Sequence, residues 1–284
     1  MKNLRDYVTL TKPRLNFLAL TTTLAGFYLG SPSPMNKTAL FFTLLGSTAV
    51  AAGCGALNQW LETDTDSLML RTQKRPLPSG RVEGRNAFWF GMVLSILGIG
   101  ILEFETNDLT ALLGMCALVS YVVLYTPLKK ITSLCTVVGA IPGAIPPIMG
   151  WAAAQNQIGP AGWTLFAILF FWQMPHFLAI AWMYKDDYKR AGLPMLTVVD
   201  PEGHSAGLMA AIYATALVPA SLFPTYLHIS GSVYFWSALV LGLGFLWQSV
   251  LLAKDKTLRA AKGLFWMSIT YLPLLFIIMV IDKR

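Results

Sequence analysis

Nine apolar runs alternate with short charged segments along this chain. They cover residues 15–30, 38–60, 87–102, 109–125, 131–154, 163–184, 206–227, 233–253 and 263–281. Most approach the roughly 20 residues that an α-helix needs to cross about 30 Å of hydrocarbon. The first and third are short and must recruit flanking residues or sit in thinned lipid. Lipid offers no partner for a free amide, so each run is expected as continuous helix. The expected fold is therefore an all-α integral membrane bundle of nine transmembrane helices, a single domain over 1–284. A water-soluble all-α protein would need polar helix faces, and these runs have none.

Composition agrees. The 284 residues are 55% hydrophobic and only 12% charged, about half the charge of a soluble domain. Cys54, Cys116 and Cys135 lie in or beside apolar runs without CxxC spacing, which reads as packing rather than a disulfide framework or zinc site. The mixed, charged segment 1–14 has no signal-peptide pattern.

The basic residues set the expected topology. Lys2, Arg5, Lys12 and Arg14 precede the first run, and Arg71, Lys74, Arg75, Arg81 and Arg85 follow the second. Lys129 and Lys130 follow the fourth, Lys185, Lys189 and Arg190 the sixth, and Lys254, Lys256, Arg259 and Lys262 the eighth. Together they are 18 of the 21 Lys and Arg residues, with only Lys37, Lys283 and Arg284 opposite. The positive-inside rule then puts the N-terminus and these segments in the cytoplasm. The net charge of +7 is topology signal, and no nucleic-acid partner is needed to explain it. Of the cytoplasmic loops, those after runs two and six are long and carry acids as well as bases, so chemistry is expected to face the cytoplasm.

Two runs depart from plain apolar helix. The fifth holds Gly139, Pro142, Gly143, Pro146, Pro147 and Gly150. Each proline removes a helical hydrogen bond, which predicts a broken helix, either a kinked packing element or a cavity wall. The sixth holds Gln173, Pro175 and His176 among aromatics. His176 reads either as a functional group or as an ordinary buried histidine paired with Gln173 or a carbonyl.

The densest charge lies where the second run ends. Asn58, Glu62 and Asp66 recur at i, i+4, i+8, so a helix continuing through them stacks all three on one face. Magnesium takes octahedral oxygen ligands, commonly one or two carboxylates with phosphate oxygens and waters. Asn58, Glu62 and Asp66 suit one such ion, and Asp186 with Asp187 a second. Arg71, Arg75, Lys129 and Lys130 would meet phosphate oxygens. The alternative, equally open on spacing alone, is that these acids and bases pair with one another.

The run Asn58, Gln59, Trp60, Glu62, Asp66, Met69, Arg71, Thr72, Arg75, Pro76, Leu77, Pro78, Gly80, Arg81 resembles the signature of the UbiA superfamily of intramembrane prenyltransferases. Tyr125, Thr126, Lys129 and Lys130, the Gly139 to Pro147 segment, Trp172 to Phe177, and Tyr184 to Leu196 are similar to the branch of that superfamily whose acceptor is haem. The likeness extends from Thr11, Lys12, Pro13 and Arg14 to about Leu196.

The resemblance implies a bundle around a central cavity open to the cytoplasmic side, in a bacterial inner membrane. There a prenyl diphosphate ionises with Mg2+ and passes its chain to an acceptor. For the haem branch, farnesyl diphosphate is the donor and haem b the acceptor; water addition gives a hydroxyethylfarnesyl group. It implies catalytic roles for Asn58, Glu62, Asp66 and Asp187, diphosphate contacts from Arg71, Arg75, Lys129, Lys130, Lys185 and Lys189, and haem handling by His176, as iron ligand or orienting group. His204 and His228 rank lower. Membrane lipid, and a haem A synthase or oxidase-assembly protein downstream, are the implied partners.

Glu62 stands where the superfamily usually has aspartate, and Asp186 and Asp187 are adjacent where its second motif spaces them. Both departures put a second metal in question, with Lys185 or Lys189 as a fixed-charge substitute. A related prenyltransferase acting on a quinone precursor or a chlorophyll-like acceptor, and a haem-carrying membrane transporter, are the competing readings.

Overall fold

The computed structural model describes residues 4–284; Lys2, counted above as topology signal, lies outside them. Among the described residues nine long helices form: α1 Pro13–Gly30, α2 Lys37–Leu61, α3 Gly84–Glu105, α4 Asp108–Leu128, α5 Cys135–Gln155, α6 Gly159–Met183, α7 His204–Tyr226, α8 Ser232–Asp255 and α9 Leu258–Ile281. Among the described residues there is no strand, only an isolated bridge between Ser230 and Lys283. Eight of the nine helices, α2 to α9, are long and apolar enough to cross a membrane. The first is just long enough at 18 residues, but with Arg14, Asn16 and three threonines it is not apolar enough to meet that standard. This multi-pass, all-helical architecture follows from the apolar runs, because each helix satisfies its own backbone in lipid.

Several helix ends differ from the pattern-based expectation. The third run gains a turn at its start and reaches Glu105, giving 22 residues, so it is not short. The ninth begins at Leu258 rather than Gly263, and Arg259 and Lys262 therefore ride on the helix instead of a loop. Capping fixes some of these starts. Asn36 Oδ1 accepts from Ala39 N at 3.0 Å, Asn107 Oδ1 from Thr110 N at 2.9 Å and Thr257 Oγ1 from Ala260 N at 3.2 Å, each satisfying an otherwise unpaired amide.

The expected break in the fifth run is not there: α5 is continuous from Cys135 to Gln155 with Pro142, Pro146 and Pro147 inside it. Instead α4 changes winding, with a π-helical segment at Ser120–Tyr125. Wide turns of this kind occur preferentially at functional sites.

Small residues bring the helices together where lipid provides no hydrophobic drive. Along the α2–α3 contact, Gly46 faces Gly98 and Gly53 faces Gly91 and Ser95. Gly26 of α1 lies against the Pro147 carbonyl of α5, and Gly150 of α5 against the Thr23 carbonyl of α1. Sequential helices neighbour one another, and α9 returns to touch α1, which closes the bundle. On its α6–α9 side Leu217, Tyr234, Phe245, Leu264 and Tyr271 are fully buried. Two short helices follow α2 and α6, Thr63–Leu68 and Lys185–Arg190, echoing the acid-then-base pattern of those two loops.

Candidate active site

A cavity of about 460 Å3 runs through the bundle. Its charged end is lined by Lys12, Glu62, Asp66, Arg75, Lys129 and Lys130; its apolar end by Gly143, Pro146, Leu169, Trp172 and Phe177, with Gln173 and His176 among them. Residues from before α1, after α2 and after α4, together with Tyr188 and Leu193 after α6, meet here. Four of the segments grouped by their basic residues thus lie at one end of the bundle.

Asn58, Glu62 and Asp66 keep helical spacing even though α2 ends at Leu61. Glu62 N donates to Asn58 O at 3.0 Å and Asp66 N to Glu62 O at 2.8 Å, so the stack continues into Thr63–Leu68. Each member has acquired a cation. Lys12 Nζ donates to Asn58 Oδ1, Lys129 Nζ to Glu62 Oε1 at 2.6 Å, and Arg75 Nη1 to Asp66 Oδ2 at 2.6 Å. Asn58 and Asp66 are 0% exposed; the amide of Asn58 also donates to Thr126 Oγ1 at 2.9 Å. The acids and bases do pair with one another, but out of solvent rather than on a wet surface.

This crowding shows in the ionisation of the groups. Burial works against the Glu62 charge, yet Lys129 and Lys12 beside it outweigh burial and hold its carboxyl down to about 2. Burial likewise opposes the Lys129 ammonium, and Glu62 overrides it, keeping that ammonium well above the ordinary lysine range. Lys12 goes the other way: burial lowers it to about 7, with Arg75 and Lys129 adding repulsion and Glu62 resisting. Burial raises the Asp66 carboxyl, and the Arg75 guanidinium offsets this only in part.

The residues fit a divalent cation that shares its shell with a ligand. Asp66 Oδ1 is buried and, among the described residues, has no hydrogen-bond partner, leaving a lone pair for a cation. Among the described residues no cluster of three His, Cys, Asp or Glu residues could hold a metal. The available set is two carboxylates and an amide, which suits Mg2+ completed by waters and phosphate oxygens better than zinc.

The remaining expected residues are placed unequally. Arg71 lines the cavity with its guanidinium 4.8 Å from the Tyr184 ring. Asp186 is exposed and Asp187 accepts from Arg190 Nη1 at 2.9 Å and Leu70 N at 3.4 Å; neither lines the cavity. Lys185 packs over Trp182 at 4.8 Å, and Lys189 is exposed. The second carboxylate pair therefore does not line the cavity with the first. Its Asp187 ties the loop after α2 to the loop after α6. His176 pairs with Ser268 Oγ at 2.7 Å, not with Gln173, which donates to the Ala140 carbonyl at 2.7 Å.

Sequence reasoning did not assign Lys12, Tyr121, Tyr125 or Thr126 to the site. The π-helical winding of α4 sets the last three beside Asn58 and Lys129: Lys129 Nζ is 4.3 Å from the Tyr125 ring and Lys12 Nζ 5.9 Å from the Tyr121 ring. A winding change has no hydropathy signature. For Lys12 a signal existed, a lysine followed by a helix-starting proline at the mouth of a span.

Residues 19–272 match the UbiA prenyltransferase family. The chain is 46% identical to a Protoheme IX farnesyltransferase of Solibacter usitatus, over 99% of both chains. It is 42% identical to the enzyme of that name from Opitutus terrae, covering 98% of this chain and 94% of that one. Among solved structures, one described as a digeranylgeranylglyceryl phosphate synthase superposes with a TM-score of 0.84 at 17% identity, over 99% of each chain. A UbiA homolog from Archaeoglobus fulgidus bound to DMAPP and Mg2+ superposes with a TM-score of 0.68 at 16% identity, over 96% of this chain and 99% of that one.

Proposed function

The chain belongs to the UbiA prenyltransferase family, and on that footing we propose that it transfers the farnesyl group of farnesyl diphosphate to a vinyl group of haem b. Water addition completes the reaction, giving haem O and diphosphate. The relatives from Solibacter and Opitutus support that substrate pair. The observation that carries the reading is the single cavity with cations and carboxylates at one end and an apolar, aromatic wall at the other. A diphosphate head and an isoprenoid tail have that same division. A haem-carrying transporter loses one of its two supports, because α5 is unbroken.

Asn58, Glu62 and Asp66 hold Mg2+, a role supported by the unpartnered Asp66 Oδ1. Bound there, the ion supplies positive charge to the departing diphosphate. Arg71, Arg75, Lys129 and Lys130 hold the phosphate oxygens; Lys129 and Arg75 reach them by leaving Glu62 and Asp66. Groups that meet charge developing on the leaving oxygens stabilise the transition state more than the ground state. Asp187 acts from outside the cavity by fixing the Leu70 amide next to Arg71, and Lys185 and Lys189 add positive potential at the mouth. The aromatic wall keeps bulk water from the allylic cation, and His176 lies where it can face the haem. No side-chain nucleophile is needed.

Pro13–Gly30 crosses the membrane as a ninth span, shielded by α5, and the charged end of the cavity faces the cytoplasm of a bacterial inner membrane. The test is mass spectrometry of the product. Purified protein given haem b, farnesyl diphosphate and Mg2+ is expected to yield farnesylated, hydroxylated haem. Well-folded protein that gives none overturns the assignment.

A further inference from the structure

His176 and Gln173, one helical turn apart on α6, each turn a hydrogen-bond acceptor toward the cavity. His176 Nδ1 lies 2.7 Å from Ser268 Oγ, and that hydroxyl gives its own proton to the Phe265 carbonyl 2.6 Å away. A hydroxyl has one proton, so Ser268 accepts from His176. Nδ1 therefore carries the imidazole hydrogen, and Nε2 keeps its lone pair. Stacking against Trp172 and Phe265, at ring separations of 5.1 and 5.4 Å, fixes the ring plane.

Gln173 is oriented just as firmly. It is 3% exposed, and its amide nitrogen donates to the Ala140 carbonyl at 2.7 Å, which turns Oε1 toward Gly143, where a Cβ would collide with it. Gly143 lines the same cavity. Among the described residues no donor reaches His176 Nε2 or Gln173 Oε1, and neither atom is sealed off as a buried orphan. Both are open to a small molecule in the cavity. Two acceptors without a neighbouring donor match the two protons of one water.

We infer that Gln173 Oε1 and His176 Nε2 hold the water that is added during the reaction, and that Nε2 takes its proton. This rests on the farnesyl-transfer reading above. When C1 of the farnesyl chain bonds to the terminal vinyl carbon, positive charge passes to the carbon attached to the porphyrin. The water oxygen bonds to that carbon, one of its O–H bonds breaks, and the proton moves to Nε2, leaving a hydroxyl. No oxidant or reductant takes part. Without the held water, the same cation loses a proton from the adjacent carbon and becomes an alkene, lighter than the alcohol by one water. Ser268 is a positioning residue, acting through the His176 tautomer.

The test is a single-turnover reaction in water labelled with heavy oxygen, using haem b, farnesyl diphosphate and Mg2+, with products resolved by mass spectrometry. The readout is the ratio of alcohol to alkene, which does not depend on overall rate. The wild-type product is expected to be alcohol carrying heavy oxygen. His176→Gln and Gln173→Leu are each expected to lower the ratio about 100-fold, the scale of a lost general base. Ser268→Ala is expected to lower it less, and Ser268→Thr to restore it. An unchanged ratio in both His176→Gln and Gln173→Leu overturns the inference. So does either variant binding both substrates yet forming no carbon–carbon bond, because the water step comes afterwards. If haem b added to wild-type protein shows a shift of its absorption band that His176→Gln alone abolishes, the inference is overturned in favour of iron ligation. If wild-type protein forms no farnesylated haem at all, the farnesyl-transfer reading fails first, and the inference with it.

Discussion

Lys12 Nζ donates to Asn58 Oδ1 across 46 residues of chain, from a backbone held in the left-handed region at φ 50°, ψ 54°. That conformation is uncommon for a residue with a side chain and costs on the order of 1 kcal/mol or more. The following Pro13 starts α1, so the turn delivers the amine to the cavity. With this contact, Asn58, Glu62 and Asp66 each have one cationic partner, Lys12, Lys129 and Arg75. If Asn58, Glu62 and Asp66 held Mg2+ and Lys12, Lys129 and Arg75 held diphosphate, one headgroup would replace all three pairings at once.

Lys12→Gly separates backbone from charge. Glycine accepts positive φ without strain but adds freedom to the unfolded chain, so stability should stay within about 1 kcal/mol of wild type. Turnover should fall by about tenfold or more, equivalent to about 1.4 kcal/mol of transition-state stabilisation. A thermal melt in detergent beside a product assay checks both, and full activity would remove Lys12 from the headgroup site.

Asp66→Ala should lower turnover at least ~100-fold while the protein still folds, since Arg75 is 27% exposed and can turn to solvent. A transporter or haem carrier would tolerate the change. Substrate consumption by matched amounts of monodisperse protein is the measurement, and near-normal turnover favours the non-enzymatic reading.

Chelation of Mg2+ should abolish turnover reversibly. Calorimetry should also show a non-hydrolysable farnesyl diphosphate analogue binding more weakly in chelator, because Lys129 and Arg75 are then retained by Glu62 and Asp66. Activity persisting in chelator would take the metal away from Asn58, Glu62 and Asp66.

In the metal-free protein Glu62 should contribute stability with a defined pH window. Its folded value of about 2 lies below the ordinary 4.5, so the folded state favours the ionised form. The contribution is fully present above about 4.5 and is lost as pH falls through about 2. Infrared spectra of wild type against Glu62→Gln should show a carboxylate band persisting to about pH 3. A band that protonates near 4.5 would mean that Lys129 and Lys12 do not hold it.

Gly26→Ala should destabilise the bundle by about 1–3 kcal/mol. Its new methyl would collide with the Pro147 carbonyl, a backbone atom that cannot rotate away, and α1 would be pushed off α5. Gly100→Ala, with nothing within 4 Å, is the control and should be neutral or better. Melting curves of the pair decide it.

How much of this was legible beforehand follows from the range of the forces involved. The helices could be read from local hydropathy, because lipid compels backbone self-satisfaction wherever an apolar run is long enough. The 3.6-residue repeat was likewise enough to place Asn58, Glu62 and Asp66 on one stripe. The fifth run does form a wall of the cavity, but the break expected in it is absent because a proline count describes lost hydrogen bonds and not the neighbours that hold the helix in place; α5 packs against α1 and α6 and stays whole.

What only the tertiary structure decided is the choice of partners. Asn58 meets Lys12 from 46 residues before it and Thr126 from 68 after it, and His176 meets Ser268 from 92 residues away. Nothing local specifies such pairs; they arise because glycine contacts and the π-helical turn of α4 set where each helix end arrives. The sequence by itself determined that this is a membrane bundle with acid and base gathered at helix ends. Packing decided which acid faces which base, because a charge removed from water must take the partner that the fold brings within reach.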